Sequence, residues 1–221
     1  MTQDQHNKKE YQSVILAALL HDIGKLIKRQ NNITARSKHT EFSIDFFSHE
    51  EAFKATWLKD DLDLKLIETI VRNHHDRIIQ TTKKEGGFKN KREEALCQLV
   101  SDADTFSAGE RHQEAQKEHI YFTKRPLDPI FSQVELFHDP PVKYSPYKIM
   151  ALEPRNAFPD GPRKIEEGEI INHYKNLFIP ELKEITASNF DGFYSSLLSL
   201  LEKYIWCLPR SLSEISLLKP T

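Results

Sequence analysis

The sequence predicts a mainly α-helical fold on three observations. Apolar residues recur at helical spacing in six separate stretches. Eight of the eleven prolines crowd between Pro126 and Pro162, so helix breaking is confined to one region. Only one short piece, Tyr147-Lys148-Ile149-Met150-Ala151-Leu152, reads as extended, and it could pair as a small β-hairpin inside that proline-rich segment.

The first helix is expected from Tyr11 to Arg29, entered from a frayed polar tail, Met1 to Glu10. Val14, Ile15, Ala17, Ala18, Leu19, Leu20, Ile23, Leu26 and Ile27 make it hydrophobic on nearly all faces, the pattern of a buried core helix. A polar loop, Gln30 to Lys38, follows. A second helix starts near Thr40 with Phe42, Ile44, Phe46 and Phe47 on its core face, and His39 stands at its mouth. A third segment, Leu62 to Ile79, spaces Leu62, Leu66, Ile67, Ile70 and Val71 helically and carries Asn73-His74-His75-Asp76.

Thr81 to Arg92 holds Gly86, Gly87, Phe88 and the cations Lys83, Lys84, Lys89, Lys91 and Arg92, and reads as a mobile basic loop. Such a loop is either a solvated surface or a contact for a phosphate backbone. A fourth helix is expected from Glu93 to about Ser107, with Ala95, Leu96, Leu99, Val100 and Ala103 inward and Gly109 as its stop. After the proline-rich segment, helical pattern returns at Glu166 to Leu177 and from Phe193 to Trp206. An apolar tail containing Ile215, Leu217 and Leu218 suggests a piece of a longer protein.

Composition narrows the function classes. The chain of 221 residues, 29% charged and 38% hydrophobic, suits a globular domain, and its net charge of −2 offers no global attraction for nucleic acid. Cys97 and Cys207 are far apart and form no Cys-x-x-Cys, which fits a reducing compartment. The polar start and the lack of any apolar run near membrane-spanning length predict a cytoplasmic protein.

The chemistry centres on His21-Asp22, set inside the apolar run Ala17 to Leu26. Burying an uncompensated polar group costs about 2–7 kcal/mol, so this pair needs a partner. The plain alternative is a core histidine hydrogen-bonded to an aspartate. A divalent metal is the stronger partner, since it takes a neutral imidazole and an ionised carboxylate together. Gly24 permits close backbone approach, and Lys25, one turn from both residues, can reach a phosphate held over the metal.

His21-Asp22-Ile23-Gly24-Lys25 resembles the signature of the HD superfamily of metal-dependent phosphohydrolases. The order His-Asp, His, His-His, Asp is similar to that of its two-metal members. By that resemblance His39, His74-His75 and one of Asp102 and Asp104 supply the remaining ligands. Adjacent histidines ending a helix can alternatively just favour its negative dipole. His6, His49, His112, His119, His138 and His173 read as ordinary histidines.

Ala103-Asp104 with Ser107-Ala108-Gly109-Glu110-Arg111 is similar to a segment of the large subunit of type III-A CRISPR effector complexes, which selects Asp104. His39 with Ser43 and Phe46, Arg125-Pro126-Leu127 with Ile130-Phe131-Ser132, and Leu201 to Tyr204 through Trp206-Cys207-Leu208-Pro209 match in the same order. The resemblance implies a circularly permuted HD bundle, consistent with the lack of a ligand-like histidine on a helix before His21. It divides the chain into an HD core at 1–125, a proline-rich connector at 126–165 and C-terminal helices at 166–221.

It further implies a single-stranded DNA nuclease working with other subunits and a guide RNA, with target RNA as activator. Cyclic oligoadenylate synthesis is not expected, since the family's Gly-Gly-Asp-Asp motif does not occur here. The ligands would be His21, Asp22, His39, His74, His75 and Asp104, holding one or two ions of manganese, nickel, cobalt or iron. His21 and Asp104 would hold one ion, His39, His74 and His75 the other, with Asp22 between. Asp22 and Lys25 are the candidate catalytic residues. Lys83, Lys84, Lys89, Lys91, Arg92 and Arg111 are the candidate nucleic-acid contacts. Competing readings are a small-nucleotide phosphohydrolase and a non-catalytic assembly module with a vestigial site.

Overall fold

A computed structural model describes residues 2–30, 39–49, 53, 60–109, 150–153 and 169–205. Helix dominates and no strand occurs among them, in line with the expected mainly α class. The long first helix is in fact two, α1 (Gln3–Leu20) and α2 (Ile23–Gln30), separated by a turn at His21 and Asp22. Its start is ordered as well. Thr2 and Gln5 form a reciprocal capping box, Thr2 N–H to Gln5 Oε1 at 2.8 Å and Gln5 N–H to Thr2 Oγ1 at 3.3 Å, so the polar tail is helical. Leu16, Ala17, Leu19 and Leu20 are buried, which makes α1 the central strut.

Helix α3 (His39–His49) packs along α2 and puts Ile44, Phe46 and Phe47 into the core. Helix α4 (Leu64–Arg72) packs on α1 and α3. Its N-terminus is capped by Asp63, which accepts from the N–H groups of Lys65 and Leu66 at 3.1 Å. The third segment also breaks, at 73–75, before α5 (Asp76–Lys84). Asn73 makes that break stable: buried, it donates Nδ2–H to Thr69 O at 2.8 Å and accepts from Thr82 Oγ1 at 2.7 Å, joining the two helices.

The expected basic loop is much shorter than its sequence suggests. Lys83 and Lys84 close α5, while Lys91 and Arg92 open α6 (Lys91–Gly109). Only residues 85–90 lie between, with Gly86 at φ 68° ending α5. Phe88 packs against the core instead of standing free. On α6, Leu96, Cys97, Val100 and Ser101 face inward, whereas Leu99, Ala95 and Ala103 point to solvent. The inward face is set one position round from the expected one. Burial pushes the Cys97 thiol up to about 12, so it is an inert core group.

Residues 150–153 form no strand; Leu152 N–H donates to Lys203 O at 2.8 Å. The rest of the expected hairpin, most of the proline-rich connector, the loop at 31–38, Arg111, Trp206 and the apolar tail lie outside the described residues. Helix α7 (Glu169–His173) passes through a widened π-helical turn (Tyr174–Phe178) into α8 (Ile179–Lys183). Pro180 accounts for the widening, because its ring has no N–H and clashes with the carbonyl a normal α-turn would place below it. Helix α9 (Phe190–Ile205) follows. Phe178 and Phe193 meet Phe46 and Phe53, with ring centroids 6.4 and 5.7 Å apart, so the late helices share one core with α1–α6. No described helix is long and apolar enough to cross a membrane.

Candidate metal centre

Three chain breaks and one helix face converge. The α1–α2 turn presents His21 and Asp22, the first residue of α3 presents His39, the α4–α5 junction presents His74 and His75, and α6 presents Asp104. Each break exposes a candidate ligand side chain without spending helix interior on it.

His21 and His74 are held alike. Each directs Nδ1 at the carbonyl three residues earlier, His21 to Ala18 O at 2.8 Å and His74 to Val71 O at 2.7 Å. A carbonyl can only accept, so Nδ1 carries the proton and Nε2 keeps its lone pair for the site. Around these nitrogens, His39 Nε2 lies 3.4 Å from both His74 Nε2 and His75 Nε2.

Asp22 stands at the centre. Its Oδ1 is 3.1 Å from His39 Nε2 and 3.7 Å from His74 Nε2. Its Oδ2 is 3.5 Å from His21 Nε2 and 2.7 Å from Lys25 Nζ. Asp104 Oδ1 closes the other side, 3.6 Å from His21 Nε2. Two groups of three have ligand atoms within 4.8 Å of one another: His39, His74 and His75; and His21, Asp22 and His74. His74 thus belongs to both groups, and the two Asp22 oxygens face different ones.

At Asp22, His74 and His75 the electrostatics suit a divalent ion, whereas His21 would release a proton on binding one. Burial alone would raise the Asp22 carboxyl, but His39, His21 and Lys25 overcome it and hold the group below the usual carboxylate range, ionised. Burial, reinforced by His21 and His75, lowers His74 to about 3, so it is neutral. His75 is lowered mainly by burial and by His39. Burial would lower His21, yet Asp104 and Asp22 outweigh it and its pKa is raised. His21 in turn lowers Asp104. His21 Nε2 and both Asp22 oxygens are buried without an aligned hydrogen bond, despite the short distance to Lys25. Buried polar atoms so left are costly, and a cation coordinated by neutral imidazoles and ionised carboxylates satisfies all three.

These shifts carry a stability signature. His74 titrates near 3 in the folded chain against 6.5 unperturbed, so on acidification the unfolded state takes the proton first. Stability is then lost as pH falls from 6.5 toward 3, at about 1.4 kcal/mol per pH unit from this group alone. His75 and His173 shift in the same direction. His21, being raised, contributes fully below 6.5 and fades only as pH climbs through its folded value, so it does not oppose them in acid. With chelator present, melting should drop between pH 6.5 and 5 by the equivalent of about 2 kcal/mol from His74. His74→Gln should flatten the profile; melting that rises toward pH 5 would contradict a neutral His74.

All six sequence-predicted ligands are therefore together, and Lys25 is beside them. The cations Lys83, Lys84, Lys89, Lys91 and Arg92 lie elsewhere, around the α5–α6 turn. Lys83 is paired with Glu94, and Arg92 with Glu10 at 2.6 Å. Arg111 lies outside the described residues. Ser43, matched in sequence without a role, is buried against the α1–α2 turn; a hydroxyl inside Phe42-Ser43-Ile44 was the signal available.

The HD domain family model matches residues 4–109, the stretch that contains all six candidate ligands. Over 213 residues the chain is 29% identical to the CRISPR system single-strand-specific deoxyribonuclease Cas10/Csm1 (subtype III-A) of Methanocaldococcus jannaschii. That alignment covers 92% of this chain and 24% of the relative, so the chain spans about a quarter of the length of the curated protein it matches. No solved structure matches the chain.

Proposed function

We propose that the His–Asp centre within residues 4–109, the stretch matched by the HD domain family model, is a metal-dependent nuclease site that hydrolyses phosphodiester bonds of single-stranded DNA in a type III-A CRISPR complex. The convergence of the six ligands from four parts of the chain carries the metal-dependent half of this reading. The likeness to a single-strand-specific deoxyribonuclease over 92% of the chain supports the substrate half. Other subunits with a guide RNA are the proposed partners, and target RNA the proposed activator. The 1–125 core, 126–165 connector and 166–221 helices remain the proposed division.

His21, Asp22, His39, His74, His75 and Asp104 would hold one or two ions of manganese, nickel, cobalt or iron. Such an ion, when bound, lowers the pKa of a water and neutralises phosphate charge. The chain's own side chains do the rest. Nδ1–H donation by His21 and His74 fixes both imidazoles with Nε2 inward. Asp22 stays ionised and offers one oxygen to each group of ligands. Lys25 is partly exposed at the rim, where its ammonium can meet a phosphate oxygen as negative charge builds.

The basic turn gives the polymer a second hold. Helix α5 separates Lys84 from the His75 end by about 13 Å, nine residues at about 1.5 Å each. A strand can reach both places; a small diester reaches only the metal centre. The exposed pairs with Glu94 and Glu10 are weak enough to exchange for phosphates. Phe88 is packed on the core, so this turn offers charge and not base stacking.

The deciding experiment is a metal-by-metal assay on single-stranded DNA, duplex DNA, RNA and nucleotides. Single-stranded DNA should be cut fastest with manganese, nickel or cobalt, and duplex much more slowly. Preferential nucleotide turnover would replace the nuclease reading. Neutralising Lys83, Lys84, Lys89 and Lys91 together should slow strand cleavage but spare a small diester. It should also flatten the salt dependence of binding by up to about 3 units of log–log slope. An equal loss on both substrates would mean the turn supports the fold.

A further inference from the structure

The α1–α2 break leaves two backbone groups without helical partners. In a continuous helix the Gly24 N–H would donate to Leu20 O, and His21 O would accept from Lys25 N–H. Lys25 N–H donates to Asp22 O instead, at 2.9 Å. Both abandoned groups meet one hydroxyl from another helix: Gly24 N–H donates to Ser43 Oγ at 2.8 Å, and Ser43 Oγ donates to His21 O at 2.7 Å. The hydroxyl thus closes a loop around Asp22, and Ser43 is wholly buried.

The same contact places a third ligand. Ser43 lies one turn after His39, on the same face of α3. Gly24 leaves no room between the helices, since a Cβ there would sit 1.9 Å from His39 O and 2.6 Å from Ser43 N. His39 is therefore brought to Asp22, at 3.1 Å, by the latch that holds His21 and Asp22 at the break.

We propose that Ser43 is a positioning residue of the metal centre, its hydroxyl setting His21, Asp22 and His39 in register. The inference rests on those three residues being metal ligands. Ser43 touches neither ion nor substrate; its effect passes through the backbone. Groups of this kind, one bond removed from the ligands, typically alter metal affinity tenfold to a hundredfold when removed.

The test titrates the full chain with Mn²⁺ by calorimetry, comparing the native protein with Ser43→Ala, Ser43→Cys and His21→Ala. Cysteine keeps the volume but bonds poorly, so it separates the hydrogen bonds from packing. Ser43→Ala and Ser43→Cys should both stay helical by circular dichroism and bind Mn²⁺ about ten- to a hundredfold more weakly. The visible bands of the Co²⁺-saturated variants should shift from the native ones, which mere loss of stability would not produce.

Native affinity and native Co²⁺ bands in both variants would overturn the role of Ser43 and leave the metal centre standing. Failure of the native chain to bind Mn²⁺ or Co²⁺ would overturn the metal reading and this inference with it. Unfolding of both variants would make Ser43 a general core residue and also overturn the proposal.

Discussion

Replacing Asp22 with alanine should lower metal-dependent hydrolysis by about a hundredfold or more while leaving a folded helical protein. The activity estimate follows from several kcal/mol of charge stabilisation at a metal centre, with tenfold in rate for each 1.36 kcal/mol. Stability should suffer less than for an ordinary buried ion pair, where removing one partner costs about 3–5 kcal/mol. The reason is visible around the carboxylate. His74 is neutral, and Lys25 is exposed enough to turn its ammonium to water. Circular dichroism of the chelated protein beside a nuclease assay separates the two effects. Full activity in Asp22→Ala would remove Asp22 from the centre.

Gly24→Ala should be the most damaging small substitution, against what helix propensity suggests. Alanine in a helix is worth about 1 kcal/mol over glycine. Here its methyl would lie 1.9 Å from His39 O and 2.6 Å from Ser43 N, both backbone atoms that no rotamer change can move. Helix α3 must withdraw, and overpacking of this kind costs about 1–3 kcal/mol or more. Melting should fall by roughly 2–12 °C at about 2–4 °C per kcal/mol for a chain of this size. Mn²⁺ affinity should fall too, as His39 moves from Asp22. Melting within a degree of native would show that the two helices can part without cost.

The helical class and the His21-Asp22 pair were legible because each rests on a local signal, whereas His39, His74, His75 and Asp104 were picked out by the order of motifs in the resemblance. Apolar spacing announces buried faces, and a His-Asp pair inside such a face needs an explanation. The breaks were not legible. Ala17 to Ile27 is uninterruptedly helical by periodicity, and the backbone groups freed at the His21 break are met by a serine on another helix. Likewise Asn73, whose partners Thr69 and Thr82 stabilise the α4–α5 break, gives no sign in the string that it will interrupt an apolar run. The basic stretch misled in the opposite direction. Two adjacent glycines among lysines read as a long loop, yet one positive-φ turn at Gly86 suffices and helix reclaims both flanks.

The aromatic seam joining Phe46 and Phe53 to Phe178 and Phe193 has a consequence for the order in which the protein is made. Helices α1 to α6 emerge from the ribosome early and find most of their contacts among themselves. The outer face of α3 is different, because its cover is separated from it by most of the chain. At roughly 5–20 residues per second, Phe46 and Phe53 must wait on the order of ten seconds for Phe178 and Phe193 to arrive. Closing contacts over such a separation is also the slow part of folding. The helix that presents His39 is consequently clamped on that side only late. During that interval its phenylalanines are an adhesive surface on the nascent chain, next to the segment that carries His39.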